Sequence, residues 1–152
     1  MGKFATRALW WSMFCLSWLA GISAAQPARP APDAVTPDGG RYYGPLVDGK
    51  LHGRGRIEWT NGGVYRGEFR NGQPEGLGRI ENKRRRYVYA GHFHLGAFSG
   101  QGELRIDARQ IYTGSFKHGR FNGQGRYDDG NDTVYEGEFV DDRFTGAGVV
   151  TR

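Results

Sequence analysis

The chain has 152 residues, including 26 glycines, 14% aromatic residues and a single cysteine, and its formal net charge is +5. This length allows one domain with tails, one cysteine excludes a disulfide scaffold, and the lack of a three-residue glycine period excludes collagen. The aromatic content argues against plain disorder, so the composition calls for a fold that uses glycine and aromatic residues together.

The first 25 residues have the pattern of a secretory signal peptide. Basic residues precede an apolar run at 8–22, and small residues at 23–25 precede Gln26. We therefore predict cleavage before Gln26 and export to the periplasm or the cell exterior. The alternative is an uncleaved membrane anchor at residues 8–25, which is disfavoured because a spanning helix needs about 20 apolar residues.

Residues 26–40 differ in composition from everything that follows. They contain four of the six prolines, have no apolar periodicity and end in a glycine pair. Such a composition is typical of an extended, semi-rigid segment of polyproline type. We predict a linker at 26–40 and a folded domain at 41–152.

From residue 41 onward the chain contains five tandem repeats of one motif, which start at residues 42, 65, 89, 112 and 135. Counting from the first residue as zero, glycine recurs at positions two, seven, eleven and thirteen, except that Asp142 occupies position seven of the last unit. Each unit starts with tyrosine, and four of them carry phenylalanine at position four. The resulting structural residues are Tyr42, Gly44, Tyr65, Gly67, Phe69, Tyr89, Gly91, Phe93, Tyr112, Gly114, Phe116, Tyr135, Gly137 and Phe139. A period kept over five units predicts a stacked repeat architecture.

The spacing inside each unit predicts a β-hairpin. Tyr-x-Gly-x-Phe and Phe-x-Gly-x-Gly-x-Ile both have period two, which is typical of strands whose rings and glycines share one face. The glycine at position seven lies between the two runs, where a tight turn requires positive φ. Five hairpins joined by turns predict an all-β fold, an antiparallel meander of ten short strands in a single elongated layer.

Glycines beside aromatic residues predict how such a sheet is stabilised. A missing side chain leaves a slot in which a neighbouring ring can lie flat on the backbone. Burial of one ring contributes about 1.5–3 kcal/mol, whereas each strand glycine costs roughly 0.5–1 kcal/mol. We therefore expect the sheet to curve toward its rings into an open trough, without a second layer.

This repeat resembles that of the MORN family over residues 42–152. The resemblance implies an elongated single-sheet scaffold, protein–protein contacts, frequent self-association and an uneven link to membrane lipids. Four features depart from the pattern: Leu46 replaces an aromatic residue, Pro74 lies in a strand run, one extra residue falls near 83–86, and Asp142 replaces a turn glycine. We expect Pro74 to weaken its strand locally.

No catalytic constellation can be assembled from the sequence, so we predict a protein that is not an enzyme and needs no cofactor or metal. There is no cysteine beyond residue 25, no Ser/His/Asp signature and no phosphate loop. His92 and His94 share a strand face and His118 lies on the next hairpin, but solvated histidines are favoured over a metal site. The acidic residues at 128–132 lack the spacing of a calcium loop, which favours a charged turn.

Charge divides the repeat domain into two parts. Residues 41–127 hold 16 basic and 7 acidic residues, whereas residues 128–152 hold 2 basic and 7 acidic residues. One basic run is either a solvated long turn or a site for anionic lipid or an anionic envelope polymer: Lys83, Arg84, Arg85 and Arg86. A nucleic-acid partner is not expected for an exported protein.

The last strand run, 144–150, is predicted to be an open edge at which another strand could pair. Its candidate contact residues are Phe144, Val149 and Val150. We predict a non-catalytic scaffold that binds an unidentified protein there, or a homodimer in which the basic part of one copy meets the acidic part of the other. The remaining alternative is glycan binding by aromatic residues of the trough, namely Phe98, Phe121 and Tyr127.

Overall fold

The computed structural model of the chain describes residues 30–107 and 109–151, so the predicted signal peptide and the start of the predicted linker lie outside the described residues. Within them the chain forms strands and turns, and no helix there is long and apolar enough to cross a membrane. The strands are β1 (Ala34–Val35), β2 (Arg41–Tyr43), β3 (Leu46–Val47), β4 (Lys50–Leu51), β5 (Gly53–Glu58), β6 (Gly63–Arg70), β7 (Gln73–Asn82), β8 (Tyr87–His94), β9 (Ala97–Ile106), β10 (Gln110–Lys117), β11 (Arg120–Asp128), β12 (Val134–Val140) and β13 (Arg143–Thr151).

The strands form an open antiparallel meander, as predicted. Its spatial order is β1-β2-β5 followed by β6 to β13 in sequence, while β3 and β4 make a separate two-stranded pair. The first unit thus departs from the single hairpin that its spacing predicts. Pro45 interrupts it because proline has no N–H to donate to the ladder, and its carbonyl instead accepts the N–H of His52 at 3.1 Å.

The predicted linker is wrong in its last part, because residues 33–40 fold onto the sheet. Ala34 pairs with Tyr42 in an added edge strand. The carboxylate of Asp33 accepts the N–H of Gly44 at 2.8 Å. The proline and glycine content of this segment correctly indicated that the repeat does not extend into it. It could not show that Ala34 and Val35 pair with the edge of β2.

The five hairpin tips contain two consecutive residues of positive φ, the signature of a type I′ turn. Four of the tips end in the predicted glycine at position seven, and Asp142, with φ of 68°, adopts the same conformation in the fifth. The residues at position six are also left-handed: Asp48, Asn71, Leu95, His118 and Asp141. The predicted role of the position-seven glycine is confirmed.

The glycine at position eleven has a role that the period-two pattern did not reveal. In every unit it has positive φ, as in Gly76 at 78° and Gly123 at 94°. In four of the five hairpins the strand register is irregular beside it. Glycine in a left-handed conformation within a ladder is typical of a β-bulge, which bends and twists its strand.

The core lies on one face of the sheet, which we call the ring face. The tyrosine of each unit lies over the glycine at position thirteen of the same unit; a Cβ on Gly102, for example, would meet Cε2 of Tyr89 at 2.6 Å. These glycines alternate with those at position two in one row across the sheet. The rings are buried although no second layer covers them within the described residues, as the aromatic-rescue argument predicts.

The rings also pack against one another from unit to unit. Tyr65 meets Phe93 of the next unit edge-on at 4.9 Å between centroids, and Tyr89 meets Phe116 at 5.0 Å. Phe98 stacks on Tyr89 at 3.8 Å with an interplanar angle of 10°. Edge-on and stacked pairs are the favourable geometries for aromatic rings, so the repeat period itself builds the core.

Candidate functional site

The edge predicted at residues 144–150 is the outermost strand of the sheet at its C-terminal end. β13 pairs with β12 on one side and, within the described residues, has no strand on the other. Its apolar side chains are open to solvent: Phe144 is 56%, Val149 69% and Val150 54% exposed. In the equivalent inner positions Phe98 and Phe121 are half-buried, because a following strand covers them, whereas none of the described residues covers β13.

The basic run Lys83–Arg86 forms the turn between β7 and β8, and all four side chains are exposed. Arg86 has φ of 56° and pairs with Asp107 of the next turn at 2.9 Å. Lys83, Arg84 and Arg85 have no carboxylate partner among the described residues. The charge of this turn is therefore only partly neutralised by the protein itself.

The turn leans toward the preceding turn of the sheet. The side chain of Arg84 lies over Gly62, where Cγ would be 3.3 Å from an added Cβ. The buried side chain of Asn82 holds the start of the turn, because its Oδ1 accepts the N–H of Arg85 at 2.9 Å. Two turns that are more than twenty residues apart in sequence thereby form one rim of the sheet.

A cleft on the ring face opens beside this rim, with a volume of about 230 Å³. Its lining includes Trp59, Gly63, Asn82 and Tyr87. The indole N–H of Trp59 donates to the carboxylate of Asp38 at 2.8 Å. The pKa of Asp38 lies below its usual value, chiefly because the hydroxyl of Thr36 also donates to it, so the group is a carboxylate at neutral pH.

The sequence analysis did not single out Trp59, Asn82 or Asp38. The sequence does contain one indication of this cleft, two residues before the start of each unit. The first two units have glycine there, Gly40 and Gly63, whereas the third has Tyr87. Glycine at both positions leaves room for the indole of Trp59, since an added Cβ would lie 2.8 Å from its Nε1 at Gly40 and 3.2 Å from its Cε3 at Gly63. That relation depends on strand register, which the spacing of one chain segment does not give.

The aromatic residues of the glycan hypothesis belong largely to the core. Phe98 and Phe121 each have one ring face covered by the tyrosine on which they stack. Tyr127 lies beside Phe144 at 6.3 Å and lines, with Phe121, a depression of about 250 Å³. The structure brings Phe121 and Tyr127 together there, but it places Phe98 two strands away, in β9.

The histidines of β8 have separate partners. His94 meets the carboxylate of Glu75 at 3.1 Å, and Nδ1 of His92 lies 3.2 Å from the carbonyl oxygen of Gln101. Over the part of the chain that the structure describes, no group of three or more potential ligands could hold a metal ion.

The acidic residues near position 130 shape their own turn. Oδ1 of Asp129 accepts the backbone N–H groups of Asn131 and Thr133. These hydrogen bonds lower the pKa of Asp129, and the bond from Asn131 has the largest effect. Oδ1 of Asp128 accepts the N–H of Gly130 at 3.0 Å. The interpretation as a charged turn fits this geometry.

Comparison with known protein families shows which repeat these units form. The family model for the MORN repeat matches five tandem segments, at residues 42–64, 65–81, 89–106, 112–134 and 135–152. Each segment starts at the tyrosine that begins a unit, so the five-repeat prediction is confirmed. A comparison with curated proteins finds no match to the chain.

Proposed function

This chain belongs to the MORN repeat family, and we propose that it is a non-catalytic repeat scaffold that binds another protein chain by strand addition at β13. The observation that carries the proposal is the nine-residue outer edge of β13 with its exposed apolar side chains. Unpaired backbone groups along an edge strand are a template for a partner strand, and side chains beside them give specificity.

The outer edge of β13 repeats the edge that β11 offers to β12. Gly123 pairs with Phe139, Gly125 with Gly137, and Tyr127 with Tyr135. β13 carries the equivalents of the three β11 residues, namely Gly146, Gly148 and Val150. A partner strand of the type Tyr-x-Gly-x-Phe would cover Phe144 with its phenylalanine, as Phe139 meets Phe121 at 5.9 Å.

A second copy of this chain is the first partner to test. By formal charge, residues 41–127 carry +9 (16 basic minus 7 acidic) and residues 128–152 carry −5 (2 minus 7). Opposite charges at the two ends attract in one relative orientation of two copies and repel in the other. Self-association should therefore weaken as ionic strength rises.

Binding is favoured over catalysis because of how the ring face is used. The core tyrosine hydroxyls donate to backbone carbonyls, as Tyr89 does to His92 at 2.8 Å and Tyr112 to Ser115 at 2.9 Å. Burial raises the pKa of both phenols to about 12, so neither is a proton donor or acceptor near neutral pH.

A charge placed on the edge tests this function. Val149→Lys should shift the protein toward monomer in sedimentation velocity, because a lysine on an edge strand opposes pairing. Leu77→Lys is the matched control: Leu77 is 57% exposed but lies on the inner strand β7. A wild-type protein that stays monomeric at all concentrations, and that cross-links to no other chain through residues 144–150, would contradict the proposal.

We also propose that the protein acts outside the cytoplasm, on the strength of the signal-peptide pattern at residues 1–25. Mass spectrometry of the protein from its native host should find a mature chain that begins at Gln26. An intact chain in the membrane fraction would support the uncleaved anchor at residues 8–25 instead, and an intact chain in the cytoplasm would contradict export.

A further inference from the structure

We propose that the rim beside β7 binds an acidic polysaccharide, with one sugar ring in the cleft between Trp59 and Tyr87 and the acidic group of the sugar against Arg84 and Arg85. This site is separate from the β13 edge, because four strands lie between β8 and β13, namely β9, β10, β11 and β12. It combines the basic turn with Trp59 and Tyr87, which are not the aromatic residues of the glycan hypothesis.

The shape of the cleft suits a flat, ring-sized ligand. Trp59 donates its backbone N–H to Gly63, Gly63 pairs with Asn82, and Asn82 pairs with Tyr87. The two aromatic residues are thus three strand spacings apart, about 14 Å between their backbones. The indole of Trp59 lies over Gly63, with Cε3 3.2 Å from where a Cβ would be, so it extends from its own strand toward Tyr87. The C–H faces of a pyranose pack on aromatic rings, so a sugar in this cleft would bury apolar surface against Trp59 and Tyr87.

Two polar groups are already set in place around that space. Asn82 is 4% exposed, its Oδ1 is used by Arg85, and its Nδ2 lies 3.4 Å from where a Cβ of Gly63 would be. Within the described residues the amide bonds through Oδ1, which leaves Nδ2 to donate to a sugar hydroxyl. Asp38 holds the indole N–H of Trp59, and a ring fixed in advance loses little entropy when a ligand binds.

The charge at the mouth of the cleft selects an acidic sugar over a neutral one. Lys83, Arg84 and Arg85 are exposed and, within the described part of the chain, are not paired with a carboxylate, whereas Arg86 is paired with Asp107. The side chain of Arg84 lies over the turn at Gly62, on the side of the cleft. A guanidinium group matches a carboxylate or sulfate through two parallel hydrogen bonds.

Fluorescence of Trp59 gives a direct readout, because the three other tryptophans all lie in residues 1–25. Polygalacturonate is added at low salt to the wild-type protein and to Trp59→Phe, and the tryptophan emission of each is recorded. The difference between the two emissions is the signal of Trp59. We expect a saturable change that weakens as salt is added. Arg84→Glu with Arg85→Glu should weaken binding by at least about tenfold, and Tyr87→Ala should weaken it without changing its salt dependence.

Two controls and two competing ligands keep the outcomes distinct. Arg120→Glu reverses an exposed charge on the opposite rim, and Tyr43→Ala removes an aromatic ring outside the cleft; both should bind as the wild type does. Equal binding of neutral dextran would overturn the role of the basic turn. Binding of phosphatidylglycerol vesicles that depends on Arg84 and Arg85, without any response to polygalacturonate, would overturn the carbohydrate assignment in favour of a lipid surface.

Discussion

Substitution of Gly102 by alanine tests the ring-on-glycine packing at the centre of the sheet. A Cβ at this position would lie 2.5 Å from the hydroxyl oxygen of Tyr89 and 2.6 Å from its Cε2. Contacts this short cannot be tolerated, and the ring is fully buried at 0% exposure. The ring must therefore leave the slot that it fills.

The cost follows from what the ring loses. Removing Tyr89 from its site forfeits about 1.5–3 kcal/mol of burial and about 0.5–1.5 kcal/mol of its stacking on Phe98. Alanine recovers roughly 0.5–1 kcal/mol relative to glycine within a strand. The net loss is about 1–4 kcal/mol, which lowers the melting temperature by roughly 5–20 °C in a domain of this size.

Urea denaturation followed by circular dichroism would measure this loss. The control is Gly119→Ala at a hairpin tip, where no atom lies within 4 Å of the added Cβ and only the positive φ of 81° carries a cost. In a Tyr89→Ala background no ring covers residue 102, so Gly102→Ala should become neutral or stabilising. An equal loss in both backgrounds would refute the steric argument.

Three further predictions follow from individual residues. Burial raises the pKa of Tyr89 and Tyr112 to about 12, above the value of about 10 in an unfolded chain. The two neutral phenols therefore contribute their full stability below pH 10, and this contribution is lost as the pH rises through 12. Tyrosinate absorbance during alkaline unfolding would measure this loss. Asp142→Ala keeps the left-handed backbone but removes the bond from the N–H of Phe121 at 2.8 Å, so it should destabilise by about 1 kcal/mol, whereas Asp142→Gly should be close to neutral by the same denaturation assay. Pro74→Phe supplies the ring that later units have at position nine and should raise the stability in urea by about 1 kcal/mol; an unchanged or lower midpoint would contradict that packing.

The sequence predicted the repeated part of the fold because one rule governs each unit. A ring such as Tyr112 needs a glycine, Gly125, on which to lie, and the period-two spacing puts both on one face. The departures were harder to predict because they depend on single residues. Pro45 breaks the first hairpin, and the bulge at Gly76 cannot be told from an ordinary strand glycine by spacing alone.

Pro74 was expected to weaken its strand, but two contacts keep this part of the strand in the sheet. β7 includes this residue, which pairs with Phe69, and its carbonyl accepts the N–H of Gly96 at 3.0 Å. The equivalent carbonyl of Phe98 accepts the N–H of Gly119 in the same way. Proline retains the acceptor that this contact needs, so the link between neighbouring hairpins survives.

The candidate sites were predicted to different degrees for a similar reason. The charge of Arg84 and Arg85 could be inferred locally, since a run of like charges is a property of the sequence. The cleft could not, because Trp59 and Tyr87 become neighbours only through the register of β6 and β7 between them.

Hydrogen exchange of β13 at increasing protein concentration tests most directly the central claim that this sheet functions through its open edge. We expect the inner strands β6 to β11 to exchange slowly at every concentration, because each is paired on both sides. The amides of residues 144–150 should exchange fast in dilute solution and become protected as the concentration rises or a partner chain is added. Protection of β13 equal to that of β9 in dilute solution, or fast exchange that neither concentration nor any bound chain changes, would contradict the account.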